Sequence, residues 1–135
     1  MSRIQSEKQA IEIVKDNKQK VLDREAAIYY LEKAATPDNL ALLVDMLEDD
    51  AFGVRWAAAV VLAKVGDSSM APLLHALIEK HDSTWLREGS HHVLHYSSSQ
   101  NIREQSGELQ KALRGPGAEM ATMQEAFALL KKLSD

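Results

Sequence analysis

The sequence contains no cysteine, only three prolines and six glycines, and few aromatic residues. The absence of cysteine excludes a disulfide framework, thiolate metal sites and cysteine nucleophiles. It also favours a reducing, cytoplasmic location. No stretch approaches the roughly 18 consecutive apolar residues typical of a membrane span, and the charged N-terminus does not resemble a secretory signal. We therefore expect no membrane partner.

Positive charge is also scarce. The formal net charge is −4, and residues 25–50 carry seven acidic residues against one basic residue. No segment has the basic excess that phosphate backbones attract, so we expect no nucleic-acid partner. With 45% hydrophobic and 27% charged residues, the composition is that of one helix-rich globular domain.

The sequence has an internal repeat. An arginine followed by small residues, with a leucine seven positions later, occurs at Arg24/Leu31, Arg55/Leu62 and Arg87/Leu94. The spacings are 31 and 32 residues, and each such helix is followed by a break and a second amphipathic helix. A hairpin of this kind cannot bury its apolar face alone, so neighbouring units must stack. We predict repeats at about 23–52, 53–83 and 84–117.

The break inside the second unit has the chemistry of a helix–helix turn. Gly66 can adopt the left-handed conformation that ends a helix. Asp67 or Ser68 can cap the helix that follows. Pro72 then falls in the first turn of that helix, where its missing N–H costs little.

The middle unit, VRWAAAVVLAKVGDSSMAPLLHALI (residues 54–78), resembles the short HEAT-like repeat named from phycobilisome lyases. It has the Val-Arg start, the alanine pair, the Gly-Asp break and the Pro-Leu-Leu second helix. The resemblance covers roughly residues 23–117 and implies an all-α fold, an α-α superhelix (solenoid) of about three hairpins. The flanking segments, about 2–20 and 118–134, are predicted to be capping helices.

The repeated arginines have two interpretations. HEAT-like units of this type pair such an arginine with a carboxylate of a neighbouring loop, which here would be Asp50 or Asp82. The alternative is a ladder that binds anions. We favour the structural pairing.

Two histidines stand one helical turn apart. His91 and His95 have the i, i+4 spacing that can present two imidazoles to one metal ion. That spacing alone is a weak signal, so we predict no metal site and no cofactor, and interpret these histidines as polar surface.

Trp56 is the least expected residue of the second unit, because glutamates fill its position in the other two. It is predicted to project from the outer face, with Val60 one turn away and Tyr29 beside it. Such a patch could contact a partner. The alternative is that a slightly rotated helix buries Trp56.

In HEAT-like solenoids the second helices line the concave face, where partners usually bind. Equivalent polar positions of these helices are Asp45, Glu48, Glu79, Glu108 and Lys111. Because most of them are acidic, a basic segment of a partner protein is favoured. A merely solvated face is the alternative.

The sequence therefore predicts a non-catalytic protein-binding scaffold. No catalytic motif is visible. Two alternatives stay open: an enzyme or accessory subunit of the bilin-lyase-like or metal-dependent type, and a short array that docks end-on through its final helix. The partner and the oligomeric state are not predicted.

Overall fold

The computed structural model describes residues 4–134, and these form helices and turns without any β-strand. The helices are α1 (Glu7–Lys15), α2 (Val21–Tyr30), α3 (Pro37–Asp45), α4 (Phe52–Val65), α5 (Met70–Glu79), α6 (Thr84–His95), α7 (Gln100–Gln105), α8 (Gly107–Arg114) and α9 (Ala118–Ser134). Short 3₁₀ turns extend α2, α3 and α4.

The helices are arranged in two layers. The first layer contains α2, α4, α6 and α8, each packed against the next. The second layer contains α1, α3, α5 and α9, in which α3 contacts α5 and α5 contacts α9. Helix α1 joins α3 through Glu7 Oε1, which accepts a hydrogen bond of 2.6 Å from Asn39 Nδ2. The predicted all-α superhelix is confirmed.

The repeated leucines form the centre of the core. Leu31, Leu62 and Leu94 are completely buried, and each contributes about 1.5–3 kcal/mol by leaving water. The small residues four positions earlier in each unit, Ala27, Ala58 and Ser90, are also completely buried. Small side chains at these positions let the helices approach closely.

The turn after α4 depends on Gly66. Its φ of 77° lies in the region that favours glycine, and a Cβ there would lie 2.7 Å from Ser98 Oγ. Ser98 donates its backbone N–H to the Ala63 carbonyl at 2.9 Å and its hydroxyl to the Lys64 carbonyl at 2.8 Å. The loop of the third unit thus satisfies two carbonyls at the end of α4.

The start of α5 differs from the prediction in one respect. Pro72 lies in the first turn of the helix, but both predicted caps, Asp67 and Ser68, are exposed and no side chain caps α5. Instead Ser69 is buried and donates its hydroxyl to the Leu62 carbonyl at 2.8 Å. Because a 3₁₀ turn runs directly into α5, Ser69 already has helical dihedrals and cannot act as an N-cap.

The third unit is not a simple hairpin. The segment predicted as one second helix forms α7 and α8, with the break at Ser106 and Gly107. Glycine in a helix interior costs about 1 kcal/mol relative to alanine, which favours the break. Helix α8 then packs against α6 in the first layer, and α9 takes the place beside α5.

The flanking helices are only partly as predicted. Helix α9 has the predicted range, but it packs against both α5 and α8. Helix α1 is shorter than predicted, and begins after Ser6, whose hydroxyl accepts from the Gln9 N–H at 3.1 Å. Residues 2 and 3 of the predicted cap lie outside the described residues.

Within the described residues, one stretch is long and apolar enough to resemble a membrane span. Phe52–Glu79 has a window with a mean hydropathy of 1.3, which by length and composition alone would suit a membrane span. That window is 61% buried inside the protein. The stretch comprises α4 and α5, separated by the turn at Gly66, and supplies much of the core.

Candidate protein-binding site

A groove of about 180 Å³ lies between α4 and α6. We call it the aromatic groove. Its walls are Phe52, Arg55 and Trp56 of α4, and Trp85, Glu88 and His92 of α6. Leu47 and Ala59 also line it and are both buried, so they form its floor.

Helical spacing places the rings on the same side of each helix. Phe52 and Trp56 are four residues apart on α4, and His92 and Tyr96 are four residues apart at the end of α6, a spacing that makes side chains neighbours. The ring centroids of Phe52 and Trp56 are 6.3 Å apart. Those of Trp56 and His92 are 4.8 Å apart, and those of His92 and Tyr96 4.7 Å. The two helices thus share one continuous row of rings.

Arg55 is part of the same row. Its guanidinium carbon lies 4.0 Å from the centroid of the Trp85 ring and 5.7 Å from that of Phe52. Its Nη1 donates to the backbone carbonyls of Asp49, at 2.7 Å, and Asp50, at 3.1 Å. The guanidinium is therefore held against the two rings by the loop that precedes α4.

The rings are unusually exposed. The exposed fractions are 68% for Phe52, 49% for Trp56, 41% for Trp85 and 64% for Tyr96. Single apolar residues on a surface are common, but a cluster of large aromatic side chains is typical of a site that another molecule covers.

The histidines near the groove carry little positive charge at neutral pH. Burial lowers the pKa of His92, and the charge of His95 lowers it further. Burial also lowers the pKa of His91, together with Arg114, His95 and His92. The ordinary pKa of histidine is already below 7, so the neutral form of both imidazoles predominates at pH 7.

The sequence prediction identified only part of this site. Trp56 is half exposed, as the outer patch requires, but the rings that contact it are Phe52, which stacks on it, and His92, which is tilted against it. Tyr29 is 40% exposed on α2 and Val60 is half-buried. Trp85 and Tyr96 were missed, although their spacing from His92 along α6 could have indicated a shared face.

Of the repeated arginines, only Arg24 forms a salt bridge within residues 4–134. Its Nη2 lies 2.8 Å from Asp49 Oδ1 and its Nη1 3.1 Å from Asp49 Oδ2. The Nε and Nη2 groups also donate to the carbonyl of Val14. The predicted carboxylate partner, Asp50, is thus replaced by its neighbour.

The prediction of a carboxylate partner is wrong for the other two. Arg55 binds the carbonyl of the residue six positions earlier, Asp49, and Arg87 likewise donates to the His81 carbonyl at 2.7 Å. Arg103 has the same relation to Ser97. The turn before each helix directs a backbone carbonyl toward the arginine, so the repeated residue closes a loop.

Among the acidic residues predicted to line the concave face, Glu48 is neutralised by a salt bridge with Lys80. Glu48 accepts hydrogen bonds from Lys80 Nζ at 3.2 Å and from Ser83 Oγ at 2.7 Å. The hydrogen bond from Lys80 to Glu48 is the main cause of the raised pKa of Lys80, to which the charges of Glu48, Asp45 and Glu79 add against the effect of burial. Asp45 and Glu79 are exposed.

The remaining two positions of that predicted set lie elsewhere. Glu108 and Lys111 are on α8, 3.6 Å apart as an exposed pair. Since α9 and not α8 packs beside α5, these two residues do not continue the row of Asp45 and Glu79.

The two candidate metal ligands lie next to each other. The rings of His91 and His95 stack with centroids 5.8 Å apart, and His95 Nδ1 is 3.2 Å from Gln110 Oε1. In residues 4–134 no group of three or more His, Cys, Asp or Glu side chains is arranged to hold a metal ion.

The stacked hairpins define an all-α solenoid. The sequence matches the family described as HEAT repeats over residues 7–95, from the first residue of α1 to the last of α6. Because the match covers more than half of the chain, the protein belongs to the HEAT repeat family. It includes α1, which the sequence pattern predicts as a cap. No curated protein and no solved structure matches the chain at a significant level.

Proposed function

We propose that this protein is a non-catalytic interaction module that binds another protein through the aromatic groove. The observation that carries the proposal is the exposure of three large rings that line the groove, Phe52, Trp56 and Trp85. The exposed ring of Tyr96, just after α6, extends this patch beside His92. HEAT repeats commonly mediate contacts between proteins, which supports this class of function. The repeat spacing of 31 and 32 residues further supports the short, phycobilisome-lyase type of HEAT repeat.

The rigidity of the site supports binding without rearrangement. Arg55 is held by two backbone carbonyls, and the floor of the groove is part of the buried core. A preformed site loses less conformational entropy when a partner binds.

A basic segment of the partner is a second contact in this proposal, at Asp45 and Glu79. Both carboxylates lie close enough to Lys80 to raise its pKa, so they create a negative potential there. The substitution Glu79→Lys should lower the association rate at low salt more than at high salt, because steering of this kind is screened by ions.

The test of the main proposal is affinity capture from cytosol with four immobilised proteins: wild type, Trp56→Ala, Trp85→Ala and Phe127→Ala. Phe127 is a 62% exposed ring on α9 and is the matched control. We expect one or more proteins to bind wild type and Phe127→Ala, and to be lost with either tryptophan variant. Equal retention by all four folded proteins would contradict the proposal.

A further inference from the structure

The hydrogen-bonding groups of the aromatic groove restrict what can cover it. The indole N–H groups of Trp56 and Trp85, which line the groove, make no hydrogen bond with any residue in the range 4–134, nor does the hydroxyl of Tyr96, whose ring lies 4.7 Å from that of His92. All three side chains are exposed to water. A partner that covers the rings removes this water. Each donor then needs an acceptor from the partner, because a buried donor without one is costly.

The opposite charges of Arg55 and Glu88 on the walls of the groove do not favour a charged ligand of either sign. Arg55 already lies over the rings of Trp85 and Phe52, so a cation placed there would meet a fixed positive charge. Glu88 on the wall disfavours an anion in the same way. The suitable ligand is uncharged where it meets the rings.

The size of the groove and its hydrogen-bonding groups disfavour three other kinds of occupant: a small molecule, an α-helix and a β-strand. At about 180 Å³ it is smaller than the roughly 300–1,000 Å³ of typical small-molecule pockets. The backbone carbonyls of an α-helix are used internally, so the backbone of a helix would not pair with the indole donors. Addition of a β-strand needs a sheet edge, and residues 4–134 contain no strand.

We propose that the aromatic groove binds an extended proline-rich segment of a partner protein in the polyproline II conformation. Proline has no N–H, and the backbone carbonyls of this conformation are free of internal hydrogen bonds. Such a segment therefore supplies acceptors without donors, and flat uncharged rings for Trp56, Trp85 and Phe52. This is the complement of the groove, and the inference rests on the proposed function.

The chain contains its own reporter of this binding. Trp56 and Trp85 are its only two tryptophans, and both line the groove. Titration with a capped decaproline peptide should therefore change the tryptophan emission with saturation. A capped glycine-serine peptide of equal length, which has carbonyl acceptors but is flexible and lacks proline rings, should give no saturable change.

Two variants test the geometry. Trp85→Phe keeps a ring but removes the donor, and we expect it to weaken decaproline binding about tenfold, which corresponds to about 1.4 kcal/mol. Phe127→Ala should bind as wild type does. Circular dichroism and thermal unfolding show whether each variant is folded. Because Trp85→Phe removes one of the two fluorophores, calorimetry provides the affinity.

The outcomes separate this inference from the proposed function. No binding of decaproline, equal binding of the glycine-serine peptide, or full affinity in Trp85→Phe would overturn the inference. If a protein is still captured through Trp56, the proposed function stands and the partner segment has another chemistry. A wild-type dimer in sedimentation that dissociates on Trp56→Ala would also overturn it, since the occupant would be a second copy of the chain.

Discussion

Arg24 and Asp49 form a bidentate salt bridge that joins α2 to the loop before α4. Both guanidinium Nη groups reach the carboxylate, at 2.8 and 3.1 Å, and Arg24 is only 4% exposed. Asp49 also accepts from the Ala51 N–H at 2.9 Å and gives its carbonyl to Arg55. A single loop residue thus holds the arginines of two successive units.

The first prediction concerns the loss of this pair. Arg24→Ala should lower the free energy of unfolding by about 3 kcal/mol or more, because it leaves Asp49 and the Val14 carbonyl partly buried without their donor. Lys80→Ala breaks the exposed pair with Glu48 and should cost less than about 1 kcal/mol. Urea unfolding measures both. Similar losses in the two variants would show that burial does not distinguish these pairs.

The second prediction is an acid dependence of stability. Burial alone would raise the pKa of Asp49, but hydrogen bonds from Arg24 and Ala51, with the charges of Arg24 and Arg55, outweigh it and hold the pKa below its usual value. Because the folded-state pKa is the lower one, the stabilisation is complete above the unfolded-state pKa, about 3.9. It is lost as pH falls through the folded-state pKa.

Wild type should therefore lose more unfolding free energy than Asp49→Asn between about pH 5 and pH 2.5. Urea midpoints at several pH values give this difference directly. Parallel curves for the two proteins would mean that Asp49 titrates as it does in the unfolded chain.

The fold was largely predictable because its signals are local and repeated. Leu31, Leu62 and Leu94 recur at a regular spacing, so a comparison of the repeats within the chain identifies them as core residues. The structure of the third unit was not predictable from the sequence. Its short helix α7 depends on the break at Ser106 and Gly107, and also on which helix covers α5. Helix α9, which lies outside the third unit, packs beside α5. The sequence pattern within the third unit contains no information about this contact.

The site was predictable only in fragments. Trp56 stood out as a departure from the repeat, and the histidines as a cluster, but the sequence does not show that Trp56 of α4 meets His92 of α6. The partners of Arg55 and Arg87 were predicted wrongly for a related reason. A carbonyl is a partner that every residue has, so only the path of the loop determines which one Arg55 and Arg87 reach.

The third prediction concerns the turn after α4. Gly66→Ala should destabilise the protein by about 1–3 kcal/mol, because alanine disfavours this positive φ and its Cβ would displace the Ser98 hydroxyl. Gly107→Ala is the control: its φ is not positive and nothing lies within 4 Å of the added Cβ. It should be neutral or stabilise by up to about 1 kcal/mol. Thermal unfolding of both variants tests whether conformation and space, rather than loss of a glycine, determine the cost.

The last prediction tests the position of α9. Leu129 is 3% exposed and packs into the core, whereas Phe127 on the same helix is 62% exposed. If α9 is an integral part of the second layer, Leu129→Ala should cost about 2–5 kcal/mol, and Phe127→Ala no more than about 0.5 kcal/mol. Urea unfolding should remain a single transition in both. A loose terminal cap would instead give two small and equal effects, or a separate early transition in which α9 melts before the rest of the solenoid.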